Sequence, residues 1–207
     1  MAGKLPSEQK SEKILYFTED EALFENYQGA GQADNFPEEE SGMVIKMYEP
    51  DNKTYLDLEE KKVIEQQEFM SRTFLIESDM KDDKWKLTGN QKTILEYACQ
   101  EAYMESEDKT VHAWFTPEIP VSVGPGQYNN LPGLILALEI NDGDQMLRAT
   151  EVLLKPVSKS LLQRPEKGKK VTHEEFSAIV EEKLKEMGVE SGGDGSRHAT
   201  VVIKVQQ

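Results

Sequence analysis

The sequence predicts a mainly β fold: a curved antiparallel sheet or open half-barrel (bowl-like) with one C-terminal amphipathic helix. Two observations predict it. Through the first three quarters of the chain, β-branched and aromatic residues alternate with charges in short runs separated by turn residues, the pattern of strands with one wet face. Only one segment, after residue 172, places apolar residues at helical spacing behind a capping signal. A parallel α/β fold needs helices of about 10–15 residues between its strands, and these runs have none between them.

Residues 1–11 read as the polar lead-in of a mature chain, and 12–207 as a single β-rich domain. The apolar run 14–17 opens the strands, and the acidic stretch 28–42, with its Gly and Pro residues, reads as a loop. Strand-like runs follow at 44–48, 53–58, 62–65, 72–76, 85–87 and 93–97, with Glu49-Pro50-Asp51-Asn52 as a turn. The clearest hairpin joins 97–104 to 110–116 through polar residues. With residue 105 opposite 110, Tyr103 faces His112, Glu101 faces Trp114 and Cys99 faces Thr116. Ala102, Met104, Val111, Ala113 and Phe115 then share the other face.

The run 134–140 is almost wholly apolar, as a strand buried on both faces is. Asp142-Gly143 turns the chain back into 145–154. A basic loop follows at 155–170, where Lys155, Lys159, Arg164, Lys167, Lys169 and Lys170 stand against Glu166. Thr172 and Glu175 form a capping box for a helix over about 173–187. Its stripe is Phe176, Ile179, Val180, Leu184 and Met187, and Gly188 is the stop. A Gly-rich hinge at 191–197 and a final strand at 199–205 follow.

Composition narrows function by exclusion. The 207 residues carry 24 Lys+Arg against 39 Asp+Glu, a formal net charge of −15. That field repels nucleic acid and other polyanions. The acids crowd 18–40 and 96–108, so the basic block 155–170 leaves room for a local anionic partner. No stretch approaches the ~20 apolar residues of a membrane helix, which excludes an integral membrane segment of that kind. The single Cys99 cannot make an intrachain disulfide.

The motifs of chemistry are sparse. His112, His173 and His198 show no metal-ligand spacing with one another or with Cys99. Gly-x-Ser-x-Gly does not occur. Cys99 and His112 stand about four residues apart along the predicted hairpin, on the order of 13 Å, too far for a hydrogen-bonded dyad. Gly124-Pro125-Gly126 lacks the Gly-Lys-Ser/Thr of a phosphate loop. These patterns imply no catalytic residue, no metal and no cofactor. Glu118 and Glu101 near Trp114 are the carboxylates a hydrolase could use, at ~5–10 Å across a cleft.

One segment stands apart. Pro117, Pro120, Pro125 and Pro132, with Gly124, Gly126 and Gly133, constrain a loop between two apolar strands. A rigid loop carrying aromatics and amides is a binding surface, so the candidate ligand-binding residues are His112, Trp114, Glu118, Tyr128, Asn129 and Asn130.

At these residues the chain resembles the GLPGLI family, whose name matches Asn130-Leu131-Pro132-Gly133-Leu134-Ile135 with Asn in place of the first Gly. Ala113-Trp114-Phe115-Thr116-Pro117-Glu118-Ile119-Pro120 is similar to the family's AW(Y/F)TPEIP signature. The run from Ile94 to Ala102 is similar to its approach to a single Cys. The resemblance implies an exported protein of the Gram-negative cell envelope with no established activity. More faintly, it implies likeness to a β-rich N-terminal module of some secreted peptide-N-glycosidases, whose catalysis lies in other domains.

The reading is a non-enzymatic, exported cell-envelope protein, in the periplasm or at the outer-membrane surface, that binds a ligand or partner through the rigid loop 114–133. Its partner is an unknown envelope protein, peptide or glycan, and the chain itself a monomer or weak dimer. The alternatives are the hydrolase above and an assembly module that pairs through 199–205 as an edge strand.

Overall fold

A computed structural model describes residues 8–27, 50–106, 109–188 and 198–206. The expected loop 28–42, the run 44–48 and the hinge 191–197 lie outside them. Twelve strands form one hydrogen-bonded array among the described residues. The first meander is antiparallel: β1 (Glu8–Phe17), β2 (Glu21–Asn26), β3 (Lys53–Asp57), β4 (Lys62–Phe69) and β5 (Arg72–Asp79). The second comprises β6 (Lys86–Ile94), β7 (Tyr97–Glu105), β8 (Thr110–Thr116), β9 (Leu134–Ile140) and β10 (Gln145–Leu153). The short β11 (Lys169–Val171) pairs in parallel with β5 at one margin.

The last strand, β12 (His198–Gln206), lies between β1 and β10 and runs parallel to both. It joins the two meanders. Both of its sides are paired, so it offers no free edge to another chain. Parallel pairing needs a crossover, and the segment from β10 to β12, which includes the helix, supplies it.

One core unites the meanders. Leu15, Phe17, Leu56 and Val63 from the first pack in the same cluster as Ile94, Ala102, Val111, Phe115, Leu136 and Leu138 from the second. The array therefore folds over on itself as two facing half-sheets, and its outermost strands β11 and β6 are not paired, so it is not closed. On the outer face of the first meander, Leu23, Tyr55, Ile64 and Leu75 are covered by Leu162 from the connection after β10.

Several elements match the expected ones. Glu105 pairs with Thr110 and Tyr103 with His112, the predicted hairpin register. Leu134 to Leu138 are buried without a break. The turn Asn141–Gly143 has positive φ at all three residues. Other elements differ. The expected runs 85–87 and 93–97 are divided differently: Lys86–Leu87 and Thr93–Ile94 belong to one strand, β6, with a bulge between Leu87 and Gln91, Leu95 (φ 55°) lies in a turn and Tyr97 opens β7. β2 and β11 were not evident from periodicity. β2 carries Ala22 and Leu23 side by side, both buried on opposite faces, so alternation is lost.

The helix α1 (His173–Glu186) carries the predicted capping box: Glu175 N–H donates to Thr172 Oγ1 at 3.1 Å, and Thr172 N–H to Glu175 Oε2 at 3.0 Å. Phe176 meets Phe74 edge-on at 5.3 Å and Phe69 at 6.5 Å. His173 Nε2 lies 3.2 Å from Glu65 Oε2. No helix residue is buried, and Met187 is 61% exposed. The predicted stripe is thus only partly docked, because α1 lies at the sheet margin, where Phe69 and Phe74 are the aromatic rings that reach it.

Ending the chain at residue 190 removes β12 and opens both β1 and β10. The expected outcome is loss of the cooperative thermal transition and of near-UV circular dichroism. A truncated chain melting within a few degrees of the full one would show that the meanders hold together without β12.

Candidate functional site

The loop after β8 is held by its own backbone. Val121 N–H donates to Ile119 O at 2.8 Å and Val123 N–H to Val121 O at 2.9 Å. Leu134 N–H then donates to Ile119 O and Ile135 N–H to Val123 O, both at 3.0 Å, fastening the loop along β9. A bridge between Val123 and Asn129 closes its tip. Ile119, Val121, Val123 and Leu131 are buried beneath it.

Two backbone positions restrict the residue types they accept. Gly133 has φ +155°, and a Cβ there would stand 2.1 Å from Thr116 O. Asn130 has φ +65°, the left-handed conformation that Asn tolerates better than most residues. Its Nδ2 donates to Lys81 O at 3.0 Å, a tie that a glycine could not make.

Lys81 belongs to the six-residue link 80–85 between β5 and β6, which the loop fastens a second time: Trp85 Nε1 donates to Asn129 O at 2.8 Å. Where link, loop and the turn after β3 meet, a cleft of about 810 Å³ opens. Its volume falls within the roughly 300–1,000 Å³ of small-molecule sites. Its walls carry Glu118, Asn129 and Asn130 on the loop and Lys61 and Lys81 opposite, around apolar Met80 and Ile119. Glu118 Oε1 accepts from Ala98 N–H at 2.8 Å, which orients the carboxylate. Asn129 is 2% exposed; its Nδ2 donates to Gln127 O at 2.8 Å, and its Oδ1 has no partner among the described residues.

The structure divides the six candidate residues. Glu118, Asn129 and Asn130 line the cleft. Tyr128 does not: its ring is buried in the core beside Trp85, at 6.4 Å between centroids, and its hydroxyl accepts from Lys109 Nζ at 3.1 Å. His112 and Trp114 lie on the outer face of the second meander. There His112 Nδ1 is 3.1 Å from Glu101 Oε1 and its ring stacks on Tyr103 at 6.0 Å. Lys92 Nζ covers the Trp114 ring at 3.8 Å, and burial, with Arg148 nearby, lowers its pKa.

Glu101 is 9% exposed. Thr88 Oγ1 and Asn90 Nδ2, both on the β6 bulge, donate to its Oε2 at 2.7 Å. Burial pushes this carboxyl up, but the bonds from Thr88, Asn90 and His112 outweigh it and hold the group below the usual carboxylate range. A general acid needs the opposite shift. Glu101 and Glu118 are engaged by separate partners, Glu101 on the β6 bulge and Glu118 on the Ala98 amide. Cys99 is buried on β7, and burial raises its thiol pKa, an inert setting. Among the described residues no group of three or more His, Cys, Asp or Glu could hold a metal ion. No described helix is long and apolar enough to cross a membrane.

Residues 101–137 match the model of a family described as "Protein of unknown function (Porph_ging)". That stretch runs from β7 through the loop into β9 and contains all six candidate residues. No curated protein matches the chain. Among solved structures, the chain is similar to PNGF-II in a C2 and a P21 crystal form, with TM-scores of 0.51 and 0.52 at 14% identity. The likeness covers 79% of this chain and 28% of each of those, so the chain spans under a third of their length. At that identity it is a likeness of fold.

Sequence reasoning found the loop but missed the link. Trp85 was legible only as part of a strand, although a Trp beside Lys84 and Asp83 at a strand start also fits an anchor. Two outcomes follow. Gly133→Ala is expected to cost about 3 kcal/mol or more, since backbone must move; a loss under about 1 kcal/mol by urea titration would show a pliable loop. For Glu101, the folded-state pKa is lowered, so its contribution is present above the ordinary carboxylate pKa and lost as pH falls through the lowered value. Glu101→Gln is expected to cost about 1–3 kcal/mol at pH 7 and to reduce the acid sensitivity of the melting temperature; an unchanged acid profile would refute that role.

Proposed function

We propose that this protein is a non-catalytic, exported binding module of the cell envelope that holds a ligand in the cleft beneath loop 114–133. The observation that carries the reading is Asn129. A buried acceptor without a partner costs about 1–3 kcal/mol, and this one belongs to a residue of the cleft wall. A ligand N–H or O–H that reaches this oxygen as the wall adjusts offsets that cost. With Glu118, Asn130, Lys61 and Lys81 around apolar Met80 and Ile119, the cleft suits a polar ligand with one apolar side, as an extended peptide or a glycan has. Export and the envelope rest on the resemblance of the loop sequence.

The test is calorimetric titration with short peptides and envelope glycan fragments, alongside Glu118→Gln and Asn130→Gly. Both variants keep the local backbone: Gln still accepts from Ala98, and Gly adopts φ +65°. Each is expected to weaken binding about tenfold or more, with the melting temperature nearly unchanged for Glu118→Gln and lowered by only a few degrees for Asn130→Gly, which gives up the bond to Lys81. Binding that survives both variants, or that perturbs resonances around Trp114 instead, would move the site out of the cleft.

A further inference from the structure

A second groove lies at the opposite margin of the first meander, between α1 and the start of β5. Its volume is about 430 Å³, within the range of small-molecule sites, and it is open to solvent along one side. Its floor is Phe74, and Ile179 on α1 forms the facing wall. Arg72, Lys169 and Lys183 rim it, against one acid, Glu182. Thr73 adds a hydroxyl among the cations.

Three features set this groove apart from ordinary surface. First, in a chain of net charge −15 it gathers three cations around one carboxylate. Second, Lys183 Nζ is held by Glu186 at 2.5 Å, whereas Arg72 and Lys169 have no ion pair among the described residues. Arg164, from the same basic loop as Lys169, is by contrast paired with Glu77 at 3.1 Å. Third, the helix docks through Phe176, while Ile179, Val180 and Leu184 remain half-buried and Met187 exposed. Apolar surface and unpaired cations thus share one opening.

We infer that this groove binds a single-chain anionic amphiphile, its acyl chain between Phe74 and Ile179 and its carboxylate between Arg72 and Lys169. Burying methylenes supplies affinity at roughly 0.8 kcal/mol each, and the guanidinium of Arg72 supplies a fork matched to a carboxylate. The groove's volume of about 430 Å³ suits one chain. An anionic membrane surface fits worse, because α1 presents Glu174, Glu175, Glu181, Glu182 and Glu186 against Lys183 and Lys185. The inference does not depend on the cleft beneath loop 114–133.

The experiment is isothermal titration of the full chain with sodium dodecanoate below its micellar concentration, with dodecyltrimethylammonium as the opposite-charge control. Dodecanoate is expected to bind with unit stoichiometry, and the cationic control at least tenfold more weakly. Arg72→Glu and Lys169→Glu, both at exposed positions, are each expected to lower dodecanoate affinity at least tenfold with the melting temperature preserved. Ile179→Glu tests the apolar wall and is expected to do the same. Glu118→Gln and Asn130→Gly leave this affinity unchanged, which separates the two sites. No saturable binding of dodecanoate, equal binding of the two amphiphiles, or indifference to the charge reversals would each overturn the proposal.

Discussion

The six residues between β5 and β6 govern the architecture. In the strand order these two strands are ten steps apart, which in a flat sheet at about 4.8 Å per step would separate them by roughly 48 Å. The chain from Asp79 to Lys86 reaches at most about 25 Å when fully extended. The array must therefore bend until its two ends face each other, and the shared core of the two meanders is the result. The same short link forces the cleft into being. It crosses in front of the Pro/Gly loop and is tied there by Trp85 and Asn130. The loop's rigidity, enforced by Gly133 against Thr116 and by the bonds to β9, lets it serve as the fixed side of that crossing.

Much of the second meander was legible in the sequence because its constraints are local. The hairpin of β7 and β8 announces its register through alternation, and the apolar run of β9 announces burial on both faces. The capping box of α1 is a three-residue rule. What was not legible depends on partners far away in the chain. The run 199–205 reads as a strand, yet nothing in its residues says that it enters parallel between β1 and β10 rather than lying at an edge. β11 is three residues long and basic; it is a strand only because Phe74, Leu75 and Ile76 of β5 lie beside it.

The candidate site shows the same division. Proline and glycine spacing locates the loop, since those residues constrain backbone by themselves. Side-chain direction is another matter. Residues of one short stretch go three ways: Tyr128 into the core, Asn129 and Glu118 to the cleft wall, His112 and Trp114 to the outer sheet face. Which way each points follows from the bridge between Val123 and Asn129 and from strand parity, neither visible before the fold is known. The carboxylate of Glu101 is instructive here. Its proximity to Trp114 is real, and the bulge of β6 closes over it and makes it a fastener for an edge strand.

The position of β12 bears on how the molecule comes into being. Glu8 of β1 pairs with His198 of β12, so the pairing that unites the meanders links residues 190 positions apart in sequence. As the ribosome works from the first residue to the last, each meander can form its hairpins in turn. The seam between them stays open until β12 has entered it. With such long-range pairing, that closing step is intrinsically slow. Until it finishes, β1 and β10 expose unsatisfied edges, and that interval is when the chain is most exposed to aggregation.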